Sequence, residues 1–143
     1  MQIDSTRPVS DIMAKDLIVV GPYEPVSVVA DVFERHNIHH LPVVSEGGRL
    51  LGLISKSDFL KISHGFSLFK RQNKSEYDRA LYEALLVKDI MTKKVATLQP
   101  EDSLRKAADL FRENLFHALP VVYKDGQLVG LITTYDLLTY AYR

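Results

Sequence analysis

Two short stretches of the chain carry side chains that could bind a polar ligand. Ser55-Lys56-Ser57-Asp58 and Thr133-Thr134-Tyr135-Asp136 each place a hydroxyl three residues ahead of a carboxylate, where an apolar run gives way to a helical pattern. A hydroxyl can donate to an anionic oxygen, an ionised Asp can accept two hydrogen bonds, and a helix start favours negative charge. The same spacing is also that of a capping box, in which hydroxyl and carboxylate satisfy only the helix's own first amides. Histidines form the other group, in Ile38-His39-His40-Leu41-Pro42-Val43 and Phe116-His117-Ala118-Leu119-Pro120-Val121. His36, His39 and His40 have the i, i+3, i+4 spacing of a helical metal site, but Leu41-Pro42 ends any helix there, so no metal is assigned. A Ser-His-Asp set can be drawn on paper, yet the chain has no nucleophile elbow or Gly-rich catalytic loop, and no catalytic residue is assigned.

These groups recur because the chain is duplicated. An offset of 78 residues, from Gly52 to Gly130, superimposes residues 9–62 on 87–140 without a gap, and 21 of those 54 pairs are identical. The identities include Asp11/Asp89, Met13/Met91, Pro22/Pro100, Phe33/Phe111, His39/His117, Leu41–Val44 over Leu119–Val122, and Asp58/Asp136. Within each repeat a short β-branched run, Leu17–Val20 or Val95–Leu98, reads as a strand closed by Gly21-Pro22 or Gln99-Pro100. A helix follows, because Val26, Val29, Ala30 and Phe33, like Leu104, Ala107, Ala108 and Phe111, fall at i, i+3, i+4 and i+7. Pro25 suits the first turn of the first helix, and Asp102 or Ser103 the cap of the second. Two more apolar runs, 41–44 with 49–55 and 119–122 with 127–133, are joined by Glu46-Gly47-Gly48 and Lys124-Asp125-Gly126, which read as hairpin turns. A last helix starts near Ser57 and near Tyr135.

The organisation expected is an N-terminal tail over 1–8, repeat 1 over 9–63, a linker with a helix over 64–86, and repeat 2 over 87–143. In the linker, His64 to Lys74 is basic and interleaved with aromatics, and reads as a solvated segment with Phe66 and Phe69 tucked against the body. Ser75-Glu76-Tyr77-Asp78 resembles a capping box opening a helix whose Tyr77, Leu81, Ala84 and Leu85 share a face suited to a dimer contact.

Composition narrows the function. With 143 residues, 46% hydrophobic and 25% charged, the chain can bury a core unaided. It has no cysteine, which removes disulfides, thiolate metal sites and a cysteine nucleophile. Basic and acidic side chains balance at 18 each, so the field that draws proteins onto phosphate backbones is missing and a nucleic-acid partner is not expected. No stretch approaches a membrane span or a signal peptide, and the expected location is cytoplasmic.

The order β-α-β-β-α, the opening Asp-Ile-Met, the central Leu-Pro-Val-Val and the closing Gly-Leu-Ile-Ser/Thr-x-x-Asp resemble the CBS domain, named after cystathionine beta-synthase. The resemblance covers nearly the whole chain in two copies. It implies a mixed α/β (α+β) fold, a tandem CBS pair or Bateman module with two βαββα repeats about a pseudo-twofold axis, and pairing into homodimers. It also implies clefts for adenosine ligands: AMP, ADP, ATP or S-adenosylmethionine, with no further cofactor required. Carried onto this sequence, the family's ribose-holding carboxylates are Asp58 and Asp136, and its phosphate-side hydroxyls are Ser55 and Thr133, with Ser57 assisting.

His39, His40 and His117 are similar in place to the basic His-Arg pair of the gamma subunit of AMP-activated protein kinase, which implies phosphate contacts. The match departs at His40 and Ala118, where that subunit has arginine. A histidine near its ordinary pKa of about 6.5 is only partly charged at neutral pH, which implies weaker, pH-dependent phosphate binding. An adenine slot fits Ile18 and Ala96 with Met13 and Met91, methionines that also suit plain core; Thr97 supplies a hydroxyl where repeat 1 has Val19. The function implied is a non-enzymatic regulatory module that senses an adenine nucleotide and modulates a protein partner. The rival is a CBS-type interaction or dimerisation module with vestigial clefts.

Overall fold

A computed structural model describes residues 3–69, 80, 83–114 and 116–142, with 63–69 described as backbone only. After a 3-10 turn at Val9–Asp11, the elements are α1 (Val26–Arg35), β1 (His40–Val44), β2 (Leu50–Ser55), α2 (Lys56–Phe69), α3 (Val87–Ile90), α4 (Leu104–Asn114), β3 (Ala118–Val122), β4 (Leu128–Thr133) and α5 (Thr134–Ala141). β1 pairs with β2, and β3 pairs antiparallel with β4. Both turns need a glycine in the left-handed region, Gly48 at φ +84° and Gly126 at φ +91°.

The chain divides into two compact units that do not coincide with the two repeats. One, here the repeat-1 unit, comprises Ile18–Glu46 and Leu51–Lys94; the other, the repeat-2 unit, comprises Met1–Leu17, Gly47–Leu50 and Val95–Arg143. The leading segment of each repeat is therefore built into the unit that holds the body of the other. Burial gives the reason. Val9 is fully buried in the repeat-2 unit with Leu98, Leu104, Ala107, Phe111, Leu119, Val121 and Ile132. Its repeat partner Val87 is fully buried in the repeat-1 unit with Val20, Val26, Val29, Phe33, Leu41, Val43, Ile54 and Phe59, where Phe33 and Phe59 lie 5.6 Å apart between ring centres.

Hydrogen bonds repeat the exchange pair by pair. Val9 N–H donates to the Asp102 carbonyl at 2.7 Å and Ser10 N–H to that of Pro100 at 3.1 Å, while Val87 N–H donates to Glu24 at 2.8 Å and Lys88 N–H to Pro22 at 2.9 Å. Ala14 and Leu131 exchange two backbone bonds at 2.9 and 3.0 Å, as do Thr92 and Leu53. These are the same contacts shifted by the repeat offset. The tail is also held in the repeat-2 unit, since Arg7 O accepts from Leu104 N–H at 2.8 Å and the Arg7 guanidinium reaches the Tyr140 hydroxyl at 3.3 Å and Asp11 at 2.9 Å.

Several expectations are corrected. The first strand of each repeat is reduced to a one-residue parallel bridge, Val20 to Val43 and Leu98 to Val121. Along each run only Val20 or Leu98 is fully buried, with Ile18 or Ala96 half-buried two residues before it and Val19 or Thr97 exposed between them, and the following Gly21-Pro22 and Gln99-Pro100 carry the chain away. α2 continues through Phe69, into the stretch read as solvated linker. The capping box and most of the helix expected over 75–85 lie outside the described residues. Pro25 stands just before α1 rather than in its first turn. For α4 the cap is Ser103, whose Oγ accepts from Lys106 N–H at 3.1 Å, while Asp102 closes the preceding turn by accepting from Gln99 N–H at 2.7 Å.

Gly52 and Gly130 sit where the leading segments press closest. A Cβ on Gly52 would lie 2.8 Å from both the Thr92 carbonyl oxygen and Met91 Sδ, whereas the three atoms nearest to one on Gly130 all belong to the side chain of Met13, with Cγ at 2.8 Å. A methionine can rotate aside; a hydrogen-bonded carbonyl cannot. Gly52→Ala should therefore cost about 1–3 kcal/mol of stability and Gly130→Ala clearly less, as measured by chemical denaturation; equal losses would contradict this packing.

Candidate functional site

In the repeat-2 unit, β4 ends at Thr133 and α5 begins at Thr134, so the strand-to-helix junction expected from the sequence is present. Thr133 Oγ1 accepts from Asp136 N–H at 3.1 Å, and Asp136 Oδ2 accepts from Thr133 N–H at 2.8 Å. This is a complete capping box. Thr134 N–H donates to the His117 carbonyl at 3.1 Å, which sets the histidine backbone beside the helix start, with its side chain exposed. Of the four amides from the cap, Thr133 to Asp136, only that of Tyr135 has no partner among the described residues, so an anion here would be met chiefly by side chains rather than by a ring of free N–H groups. Asp136 keeps its second oxygen, Oδ1, for a further acceptor role, with no partner among the described residues.

The repeat-1 unit carries the same junction in a looser form. Ser55 Oγ accepts from Asp58 N–H at 3.1 Å and lies 3.4 Å from Ser57 Oγ, and Lys56 N–H donates to the His39 carbonyl at 2.8 Å. The return bond is absent: among the described residues no N–H donates to the Asp58 carboxylate, which is exposed. Among the described residues, Asp58 thus has both carboxylate oxygens unpartnered, and Asp136 one. His39 is exposed, and His40 opens β1 partly buried.

The leading segments bring the remaining candidates. Met13 and Ala96 pack half-buried against the core of the repeat-2 unit, and Ile18 and Met91 against that of the repeat-1 unit. One unit thus assembles Met13, Ala96, His117, Thr133 and Asp136, and the other Ile18, His39, His40, Ser55, Ser57, Asp58 and Met91. Met13 lies over Gly130 and Met91 over Gly52, so each methionine stands beside the junction of the other repeat. In the sequence those two glycines stand out as identities between the repeats and as the start of the closing motif, with no sign of the methionines over them. Among the described residues no cluster of three or more His, Asp or Glu side chains could hold a metal ion, and no helix is long and apolar enough to cross a membrane.

Residues 9–65 and 87–143 each match the CBS domain. The chain belongs to the CBS domain family, as a tandem pair. It is 34% identical over 142 residues to the uncharacterized protein MJ1225 of Methanocaldococcus jannaschii, covering 97% of this chain and 49% of that one, so it spans about half of that relative. The crystal structure of MJ1225 superimposes with a TM-score of 0.80 at 32% identity, over the same shares of the two chains. CBSX2 of Arabidopsis thaliana, solved in complex with AMP, superimposes with a TM-score of 0.77 at 27% identity over 94% of this chain and 96% of that one. The CBS domain pair of MJ0100, solved with 5′-methylthioadenosine and S-adenosyl-L-methionine, gives a TM-score of 0.73 at 28% identity over 94% of each chain.

The unequal capping has a measurable consequence. Thr133→Ala and Asp136→Ala each remove one half of a reciprocal box and should lower stability by about 1 kcal/mol, or about 3 °C in Tm for a chain of this size. Asp58→Ala removes no cap and should leave Tm nearly unchanged. Thermal unfolding of the three variants checks the order, and an Asp58→Ala loss as large as that of Asp136→Ala would refute it.

Proposed function

We propose that the chain is a non-enzymatic regulatory module that binds an adenosine ligand, AMP, ADP, ATP or S-adenosylmethionine, and passes its occupancy to a protein partner as a change of shape or affinity. The observation that carries this reading is the assembly, within each unit, of a carboxylate, a hydroxyl and a histidine at one strand-to-helix junction. Asp58 and Asp136 would accept from the ribose hydroxyls. Ser55, Ser57 and Thr133, with His39, His40 and His117, would face the phosphates. Ile18, Ala96, Met13 and Met91 would border the base. AMP in CBSX2 and the two adenosine ligands in MJ0100 support the ligand class.

Signalling follows if the ligand binds two states of the module unequally, since only a difference in affinity can shift the balance between them. Homodimer formation and a cytoplasmic location belong to the same reading. α5 leaves Tyr135 and Leu138 exposed, with Tyr142 just beyond its end, which gives a partner an apolar surface.

Isothermal titration with AMP, ADP, ATP and S-adenosylmethionine, on protein freed of carried-over ligand, tests the proposal directly. At least one should bind, and Asp58→Asn and Asp136→Asn should weaken binding without unfolding the chain. Asparagine keeps a side-chain acceptor for the Thr133 amide, so the capping effect is separated from the ribose contact. Heat from none of the four ligands would leave the chain as an interaction module with vestigial clefts.

A further inference from the structure

The repeats differ in charge at three places around the proposed site: His40 against Ala118, Lys56 against Thr134, and Lys94 against Asp16. In sequence order these differences are scattered, because the first two put the basic residue in repeat 1 and the third puts it in repeat 2. The exchange of leading segments changes that. Lys94 lies in the repeat-1 unit and Asp16 in the repeat-2 unit, so all three basic residues belong to one unit.

Their placement follows from the backbone. Lys56 is the first residue of α2 and is tied through its amide to His39. Lys94 comes two residues after Thr92, which pairs with Leu53, two residues before Ser55. In the other unit Thr134 and Ala118 take the places of Lys56 and His40, and Asp16 stands two residues after Ala14, which pairs with Leu131. Lys93 and Lys15 are common to both. With histidines neutral, the variable positions give the repeat-1 unit two positive charges, Lys56 and Lys94, and the repeat-2 unit one negative charge, Asp16. The second ligand carboxylate differs too, since Asp136 is half-committed to its capping box and Asp58 is not.

We propose that the two binding positions are specialised by charge: the repeat-1 unit takes an adenosine ligand with a polyphosphate tail, and the repeat-2 unit takes one whose 5′ substituent carries no polyphosphate. A di- or triphosphate brings several negative charges that need lysines or arginines near the tail, and beyond the shared Lys93/Lys15 only the repeat-1 unit adds more, Lys56 at the start of α2 and Lys94 after the bridge to Leu53. Asp16 would oppose such a tail in the repeat-2 unit while leaving an uncharged or cationic 5′ group unaffected. This inference rests on the reading that the chain binds adenosine ligands, and adds which kind goes where.

The test exchanges the differing residues between repeats in the full chain. ATP and 5′-methylthioadenosine, which has no phosphate, are titrated calorimetrically into wild type, Lys56→Thr/Lys94→Asp and Asp16→Lys/Thr134→Lys at one ionic strength. Wild type should bind ATP at one position per chain. The first double variant should lose about tenfold or more in ATP affinity, the scale of lost charged hydrogen bonds, with 5′-methylthioadenosine unchanged. The reciprocal variant should gain a second ATP position. Two equal ATP positions in wild type, or ATP binding indifferent to both exchanges, would overturn the specialisation while leaving the adenosine reading intact. Failure of wild type to bind either probe would overturn the specialisation, and the adenosine reading with it only if AMP, ADP and S-adenosylmethionine also give no heat. Thermal unfolding confirms that the exchanged chains are folded.

Discussion

The structure depends on a reciprocal insertion. Val9 fills the core around Leu104, Phe111 and Ile132, and Val87 fills the core around Val26, Phe33 and Ile54; each is fully buried. Burying a valine contributes about 1.5–3 kcal/mol, and each insertion brings a short ladder and a methionine laid over a glycine. A repeat without the other's leading segment would expose its core where that valine sits. The exchange therefore makes the two copies interdependent, and it explains why duplication of so short a unit yields a tandem pair rather than two separate domains.

The same insertion decides which charged residues accompany each junction. Had each repeat kept its own leading segment, Lys94 would accompany Thr133 and Asp136, and Asp16 would accompany Ser55 and Asp58. The basic residues would then be divided between the two units instead of gathered in one. Duplication supplies two similar junctions, and exchange with a few substitutions makes them electrostatically unlike. Unequal sites allow a module to compare two ligands rather than count one.

The junction motif serves two ends, and the two copies weight them differently. At Thr133 and Asp136 hydroxyl and carboxylate both cap the helix, and at Ser55 and Asp58 only the hydroxyl does. Capping and ligand contact need not exclude each other, because a carboxylate has two oxygens and a box uses one. The cap also fixes the side-chain rotamer, which lowers the entropy lost when a ligand is bound. The proposed site would thus be partly organised before a ligand arrives.

Much was legible in the residues themselves. The gapless repeat, the amphipathic spacing of α1 and α4, the glycines at positive φ and the junction motifs are local, since period, turn geometry and capping are set by residues within about one turn of each other. These identify the family and name the candidate side chains. What sequence could not decide is which copy's Met, Asp16 or Lys94 stands beside which copy's Asp58 or Asp136, whether a hydroxyl-x-x-carboxylate motif closes both halves of its box, and why the first strands shrink to single bridges. The first of these depends on segments about 35 to 120 residues apart, brought together by the burial of Val9 and Val87; the second turns on side-chain rotamers within one helical turn, and the third on which residue of each run meets its bridge partner, Val43 or Val121. The local pattern is compatible with either pairing of segments, and only the packing of the folded chain selects one.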